Sequence, residues 1–505
     1  MFSGKAVNEI GVTNWRLDAS PLSIILEIFE ALSCCILGIA RFGFRRSRER
    51  NFSKMCHRTF SLELSRAQFV SCMSSNNTGT MLAARWHPPS YDIRVEKIPV
   101  PQIEDPDDAV VKVTLAGLCG SDLHIYRGQQ PITKVHITGH EFIGEVVKLG
   151  SNYGPNAAQS TSGRPNLYAT LSVGDKVVAP FTTNLHMLHT SFPLLVPKLD
   201  GGQAQYVRVP KAGGTLYNLS SPASWSSALT ATSDVETLLE NISDSSLLLL
   251  SDILPTGVFA ATQLLAHPKV QPMLTGRSWP SSLNPSSPTI DLGSGLLTQE
   301  DRLLTIAMIG LGPVGVCAAV ALLDALVQKG LPYRIVAIDI NRSRREKMEK
   351  VYEAIGSDGK GQNGKFVVQG LEEAKETVAK WTGDVGCTGV LEVVGNNSAL
   401  TAAYDLARPF GVITSVGVHA PKNVPFTGQD LYNKNISFDF GRCPARAMFP
   451  MAFELLVKRQ DVFGKVGTES SLIDRVVDIK QASEMYRAFD QGQVGKVLFD
   501  PWDQA

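Results

Sequence analysis

The sequence predicts an α/β protein of two domains, a β-barrel-like domain joined to a doubly wound parallel sheet. Three observations lead there. Between Met81 and Pro210 the apolar residues fall in short runs punctuated by Gly and Pro. After Leu247 strand-like runs alternate with helix-like ones. A glycine turn, G-L-G-P-V-G at 310–315, sits between an apolar strand and an apolar helix.

The barrel-like part opens at Met81, and Ile93 to Glu96 alternates as a short strand does. The runs 109–117, 144–150, 174–180 and 205–210 follow, each apolar and each bounded by turn residues. Several short strands with turns between them are the pattern of a small β-barrel. The second part predicts strands at 306–310, 334–339, 365–368, 389–395 and 411–418, with helices over 313–328 and 342–355. That βαβ alternation demands a parallel sheet covered on both faces. After about Gly441 the alternation stops, and the chain ends in another strand-like run, G-K-V-L-F-D-P-W at 495–502. These limits divide the chain into an extension (1–80), a barrel-like domain (81–252, completed by 442–505) and a doubly wound domain (253–441). Two segments rich in Ser, Pro, Asn and Gly, 151–165 and 267–298, read as solvated loops.

The 505 residues carry 48 basic and 48 acidic side chains, so no electrostatic argument favours a nucleic-acid partner. The eight cysteines form no pairwise framework, which fits a reducing compartment. The stretch 21–39 is about one membrane span long, but Glu27 and Glu30 interrupt it. Each would cost roughly 2.5 kcal/mol or more at a bilayer centre, so stable insertion is not expected. A basic run, Arg41 to Arg50, follows it, as in some mitochondrial presequences. The expectation is a disordered extension and a cytoplasmic protein, with a mitochondrial one as the alternative.

G-x-G-x-x-G alone says little, but here a strand precedes it, a helix follows, and a second strand leads to Asp339. Gly310 permits the tight turn, Gly312 lets the backbone approach a pyrophosphate, and Gly315 lets helix and strand pack closely. Pro313 and Val314 open the helix, whose N-terminal N–H groups favour phosphate. Asp339 would accept hydrogen bonds from the adenosine ribose, which favours NAD. Arg342, Arg344 and Arg345 follow it, so NADP is the alternative, with Arg344 a candidate contact.

C-G-S-D-L-H at 119–124 and G-H-E at 139–141 offer zinc ligands in Cys119 and His140. A third ligand should come from far along the chain, and no cysteine lies between Cys119 and Cys317. Asp252, in S-D-I-L-P-T-G, is a plausible oxygen ligand. Three protein ligands and an open position make a catalytic site, not a structural one. Singly, each has a plainer reading: a small core thiol, a satisfied buried histidine, a helix cap.

Taken together, C-G-S-D-L-H, G-H-E-F-I-G-E-V, V-G-D-K-V-V, L-D-G-G-Q-A-Q-Y-V-R-V-P, S-D-I-L-P-T-G, G-L-G-P-V-G and S-V-G-V-H resemble the zinc-containing medium-chain alcohol dehydrogenases. The resemblance covers about residues 81–505. The acidic residue in S-D-I-L-P-T-G, with G-R-C-P-A-R at 441–446, is similar to the formaldehyde, threonine and sorbitol dehydrogenase branch. It implies a GroES-like catalytic domain, a Rossmann domain, and hydride transfer between a small alcohol, polyol or aldehyde and NAD(P). It implies one catalytic zinc on Cys119, His140 and Asp252. Ser121 then takes the substrate proton and His124 ends the proton relay. Asp122 orients the zinc histidine, and Glu141 is a carboxylate near the metal. A homodimer or homotetramer is also implied. The four-cysteine structural zinc lobe of the family belongs between 183 and 199, where this chain has no cysteine. His186 and His189 there make a poor substitute, so one zinc is expected, not two. Two competing readings are a zinc-free enone or quinone reductase of the same fold, and a non-catalytic cofactor-binding protein.

Overall fold

In a computed structural model, the described residues are 79–153, 171–181, 199–226, 229, 234–277, 279, 282, 302–361, 364–419 and 423–502. The expectations for residues 1–78, for most of 151–165 and for the histidines at 186 and 189 lie outside them.

Leu304–Ile309 has the sequence L-T-I-A-M-I and every residue is buried. A strand apolar on both faces belongs in the middle of a parallel sheet. Tyr333–Ile338 and Cys387–Glu392 flank it, both parallel, with Ile306 facing Ile335 on one side and Gly389 on the other. The full order is 364–369, 333–338, 304–309, 387–392, 407–415, 437–440. Numbered along the chain this is 3-2-1-4-5-6, the doubly wound arrangement that opens a crevice at the carboxyl ends of its first and fourth strands. Pro313–Gln328 starts with Pro in its first turn and buries ten residues. It packs on Ile253–Ala266. The second predicted strand stops at Ile338, so Asp339 stands just past its end.

A mixed sheet forms the other half. Ala109–Gly117 pairs antiparallel with Phe142–Leu149 and with Tyr206–Val209. The late strand Lys496–Asp500 returns to pair with Ala116 and Gly117. A smaller sheet orders Ile93–Pro99, Thr80–Trp86 and His136–Ile137. Trp86, Leu118, Tyr486 and Phe499 share one apolar cluster, which ties the C-terminal segment to the first strands.

Residues 267–277 correct the first part of the loop expected over 267–298, most of whose remainder lies outside the described residues. Gln271–Thr275 is a short helix with Pro in its first turn, and Val270 and Met273 are buried. Two apolar side chains three residues apart found a face in the core, which the segment's polar composition concealed. The four described cysteines are free and buried. Among the described residues no single helix is long and apolar enough to cross a membrane.

Candidate active site

Cys119 follows the strand that ends at Gly117, and His140 precedes the strand that starts at Phe142. Because these two strands pair, Ala116 opposite Phe142, the two residues emerge side by side. Asp252 arrives from the junction between the short turn Leu249–Ser251 and the helix Ile253–Ala266. It occupies the helix N-cap position, but its side chain makes no cap bond to the backbone. Instead Oδ1 accepts from the Thr256 hydroxyl at 2.9 Å and Oδ2 turns inward. There Oδ2 lies 3.0 Å from His140 Nε2 and 3.5 Å from Cys119 Sγ. Glu141 joins them, and one ligand atom from each of the four lies within 4.8 Å of the others.

The electrostatics of this cluster call for a cation. Burial pushes the Cys119 thiol up, and Asp252 and Glu141 push it further. Burial opposes charge on His140, but Asp122, Asp252 and Cys119 outweigh it and hold its pKa well above the ordinary value. Burial likewise opposes ionisation of Asp252, and the His140 contact overcomes it, so its pKa falls. Glu141 Oε1 has no hydrogen-bond partner although it is buried. Sulfur, imidazole nitrogen and carboxylate oxygen at one point fit zinc by donor type and by charge.

The surrounding residues are equally specific. Ser121 Oγ lies 3.2 Å from His140 Nε2. Asp122 is buried; its Oδ2 accepts from the Cys119 backbone N–H at 3.0 Å, and its Oδ1 lies 3.3 Å from His140 Nδ1. His124 lines the same cavity, its Nδ1 2.8 Å from Gln129 Oε1. Sequence reasoning missed Lys496, whose buried ammonium pairs with Glu141 Oε2 and donates to the Leu118 carbonyl at 3.1 Å. The signal was a lone lysine opening the apolar strand K-V-L-F-D. It also missed Phe181, whose ring centre is 6.1 Å from that of His140.

The glycine turn meets this cluster. One cavity of about 330 Å³ is lined by Cys119, His140 and Asp252 and also by Gly310, Gly312, Pro313, Val314 and Gly315. Gly310 has φ +100°, which only glycine adopts easily. A Cβ on Gly315 would stand 2.0 Å from the Gly310 carbonyl oxygen. Asp339 is buried and steadies the turn: Oδ2 accepts from Leu311 N–H and Oδ1 from Asn341 N–H, both at 2.8 Å. Arg344 lines the cavity with its guanidinium 3.7 Å from Asp339.

Two family models match, an alcohol dehydrogenase GroES-like domain over residues 105–219 and a zinc-binding dehydrogenase over 313–458. The chain is 30% identical to zinc-type alcohol dehydrogenase B of Aspergillus flavus over 495 residues, 95% of this chain and 96% of that one. The alignment therefore reaches into residues 1–80. It is 25% identical to a formaldehyde dismutase of Pseudomonas putida, covering 81% of this chain and 95% of that one. The fold matches an alcohol dehydrogenase from Thermus sp. ATN1 with TM-score 0.57 at 24% identity, over 83% of this chain and 99% of the other.

Proposed function

The chain belongs to the zinc-type alcohol dehydrogenases of the medium-chain dehydrogenase/reductase family, hydride-transferring oxidoreductases, and from that premise we propose that it interconverts a small alcohol and its aldehyde or ketone with NAD, using one zinc held by Cys119, His140 and Asp252. The observation that carries this reading is the convergence of these three side chains and Glu141 on a cavity that the glycine turn also lines.

When bound, zinc on Cys119, His140 and Asp252 would supply the Lewis acidity that lowers the pKa of an alcohol, and a nicotinamide at the glycine turn would supply the hydride chemistry. The protein's own groups do the rest. Asp122 faces His140 Nδ1 and so favours a proton there, which leaves Nε2 as the ligand atom. Ser121 Oγ accepts the proton of the substrate hydroxyl. His124, three residues on in the short helix Asp122–Tyr126 whose N-cap residue is Ser121, is half-exposed and delivers that proton to solvent. Phe181 gives the metal end of the cavity an apolar wall, which suits a small substrate and limits water. The Gly310–Gly315 turn and the N-terminus of Pro313–Gln328 receive the pyrophosphate.

NAD is the favoured cofactor because the Asp339 oxygens each keep a lone pair for a ribose hydroxyl, and the carboxylate offsets the charge of Arg344 near a 2′-phosphate. Elemental analysis of the purified protein should find close to one zinc per chain, and a panel of alcohols, polyols and formaldehyde should reduce NAD. Cys119→Ser should abolish zinc retention and lower turnover by more than about 100-fold. Turnover without zinc would overturn the metal reading in favour of a reductase. Zinc and NAD bound with no turnover across the panel would point to a non-catalytic protein.

A further inference from the structure

A layer of buried polar side chains lies behind the ligand cluster, and its centre is Gln203. Gln203, Asp122, Thr138 and Tyr486 are all fully buried. The Gln203 amide uses its whole bonding capacity. Nε2 donates to the Gly117 carbonyl at 2.9 Å and to Asp122 Oδ2 at 3.3 Å. Oε1 accepts from the Thr138 hydroxyl and from the Tyr486 hydroxyl, both at 2.8 Å. The amide can face only one way, because a carbonyl and a carboxylate oxygen accept and never donate. With the amide so fixed, the Thr138 and Tyr486 hydroxyls, which can donate or accept, act as donors to Oε1.

Three of the four partners of Gln203, namely Gly117, Thr138 and Asp122, lead to the ligands. Gly117 and Thr138 lie two residues before Cys119 and His140. A Cβ on Gly139 would come within 2.5 Å of Gln203 Cγ, so the glutamine packs directly against the residue before His140. Asp122 receives the Cys119 backbone N–H and the Gln203 amide on one oxygen, and its other oxygen, which has no hydrogen-bond partner, lies 3.3 Å from His140 Nδ1.

We propose that Gln203, oriented by Tyr486, is a positioning residue for the metal centre: it sets the Asp122 carboxylate, and through it the His140 ring. The inference rests on the reading of Cys119, His140 and Asp252 as zinc ligands. Outer partners of a metal histidine are commonly worth 10- to 100-fold in metal affinity. An apolar side chain at 203 would strip Asp122 of one bond and leave both hydroxyls without their acceptor.

The test measures metal, not turnover. Zinc affinity is obtained by competition with a chromophoric chelator, and the visible spectrum of the cobalt-substituted protein reports ligand geometry. Gln203→Met should weaken zinc binding about 10- to 100-fold and shift the cobalt bands. Tyr486→Phe, which removes one hydroxyl and keeps the ring, should move both readouts the same way by less, and it carries the test if Gln203→Met fails to fold. In an Asp122→Asn background Gln203→Met should add less than it does in the wild type, because the effect passes through Asp122. Zinc affinity within twofold of wild type and an unshifted cobalt spectrum in both variants would overturn the proposal, even if their Tm falls, since that is what a merely structural network would give. A wild type that holds neither metal would overturn the ligand reading itself.

Discussion

At the residue scale, the site depends on charges that have no access to water. Lys496 is buried and opposes Glu141, Asp252 and Cys119; burial alone would depress its pKa, and these neighbours raise it instead. Lys496→Met would leave Glu141 as an uncompensated buried charge, at a cost of about 3–5 kcal/mol. Chemical denaturation should show that loss, and adding Glu141→Gln should recover much of it; a single variant as stable as wild type would contradict the pairing. Asp339 poses a different question, because its carboxylate both steadies the glycine turn and faces the proposed ribose position. Asp339→Ala should weaken NAD binding by about ten- to a hundred-fold, the worth of one charged hydrogen bond. It should also bring the kcat/KM values for NAD and NADP closer together. A wild-type preference for NADP would mean that Arg344 dominates.

At the scale of elements, the loops after Cys387–Glu392 and Ala407–Ser415 form one wall of the cavity, with Val393, Val394, Val416, Gly417 and Val418. A single buried carboxylate joins them. Glu392 Oε1 accepts from the Val394 and Gly395 N–H groups, each at 2.8 Å. Its Oε2 accepts from the Ser415 hydroxyl at 2.6 Å and lies 3.2 Å from His419 Nε2. Burial alone would raise its pKa, but the His419, Ser415 and backbone contacts outweigh that and hold it below the ordinary carboxylate value. A folded-state pKa below the unfolded one, about 4.3, gives stability that is complete above that pH and fades as pH falls through the folded value. The Tm gap between wild type and Glu392→Gln should therefore be widest near neutral pH and narrow below about pH 4. A gap that stays constant down to pH 3 would exclude this carboxylate as the source.

For the whole molecule, two features set expectations. The parallel sheet ends in Ser437–Phe440, which pairs with Ala407–Ser415 on one side and carries Phe440 at 49% exposure. Among the described residues this edge pairs with no further strand, and an open edge with an exposed aromatic ring is a ready surface for a second copy. Sedimentation velocity should report a dimer or tetramer, and a monomer at micromolar concentration would refute this. The second feature is the start of the described fold: Thr80–Trp86 is a complete strand, paired along its length with Ile93–Pro99. A chain begun at Met81, which gives up only the terminal Thr80–Pro99 pair of that strand, should keep NAD binding and turnover close to those of the full protein. Loss of either would show that residues 1–80, part of which align with the Aspergillus flavus relative, pack on the core.

What the sequence determined by itself is what short stretches of chain encode. The helix Pro313–Gln328 was readable to the residue, because a glycine turn, a proline start and an unbroken apolar run are local signals. The strand Ala109–Gly117 was readable for the same reason. Cys119, His140 and Asp252 stood out by type and setting, and the antiparallel pairing of 109–117 with 142–149 brings the first two side by side. The inward turn of Asp252 away from its cap position was a tertiary outcome, drawn by Thr256, His140 and Cys119. The lone lysine opening K-V-L-F-D marked Lys496 as unusual but not its role, and Tyr486 carried no local signal, since their partners lie 283 to 378 positions earlier in the chain. A buried charge or amide is defined by what surrounds it, and those surroundings exist only after the last strand, Lys496–Asp500, has closed on the first sheet beside Cys119.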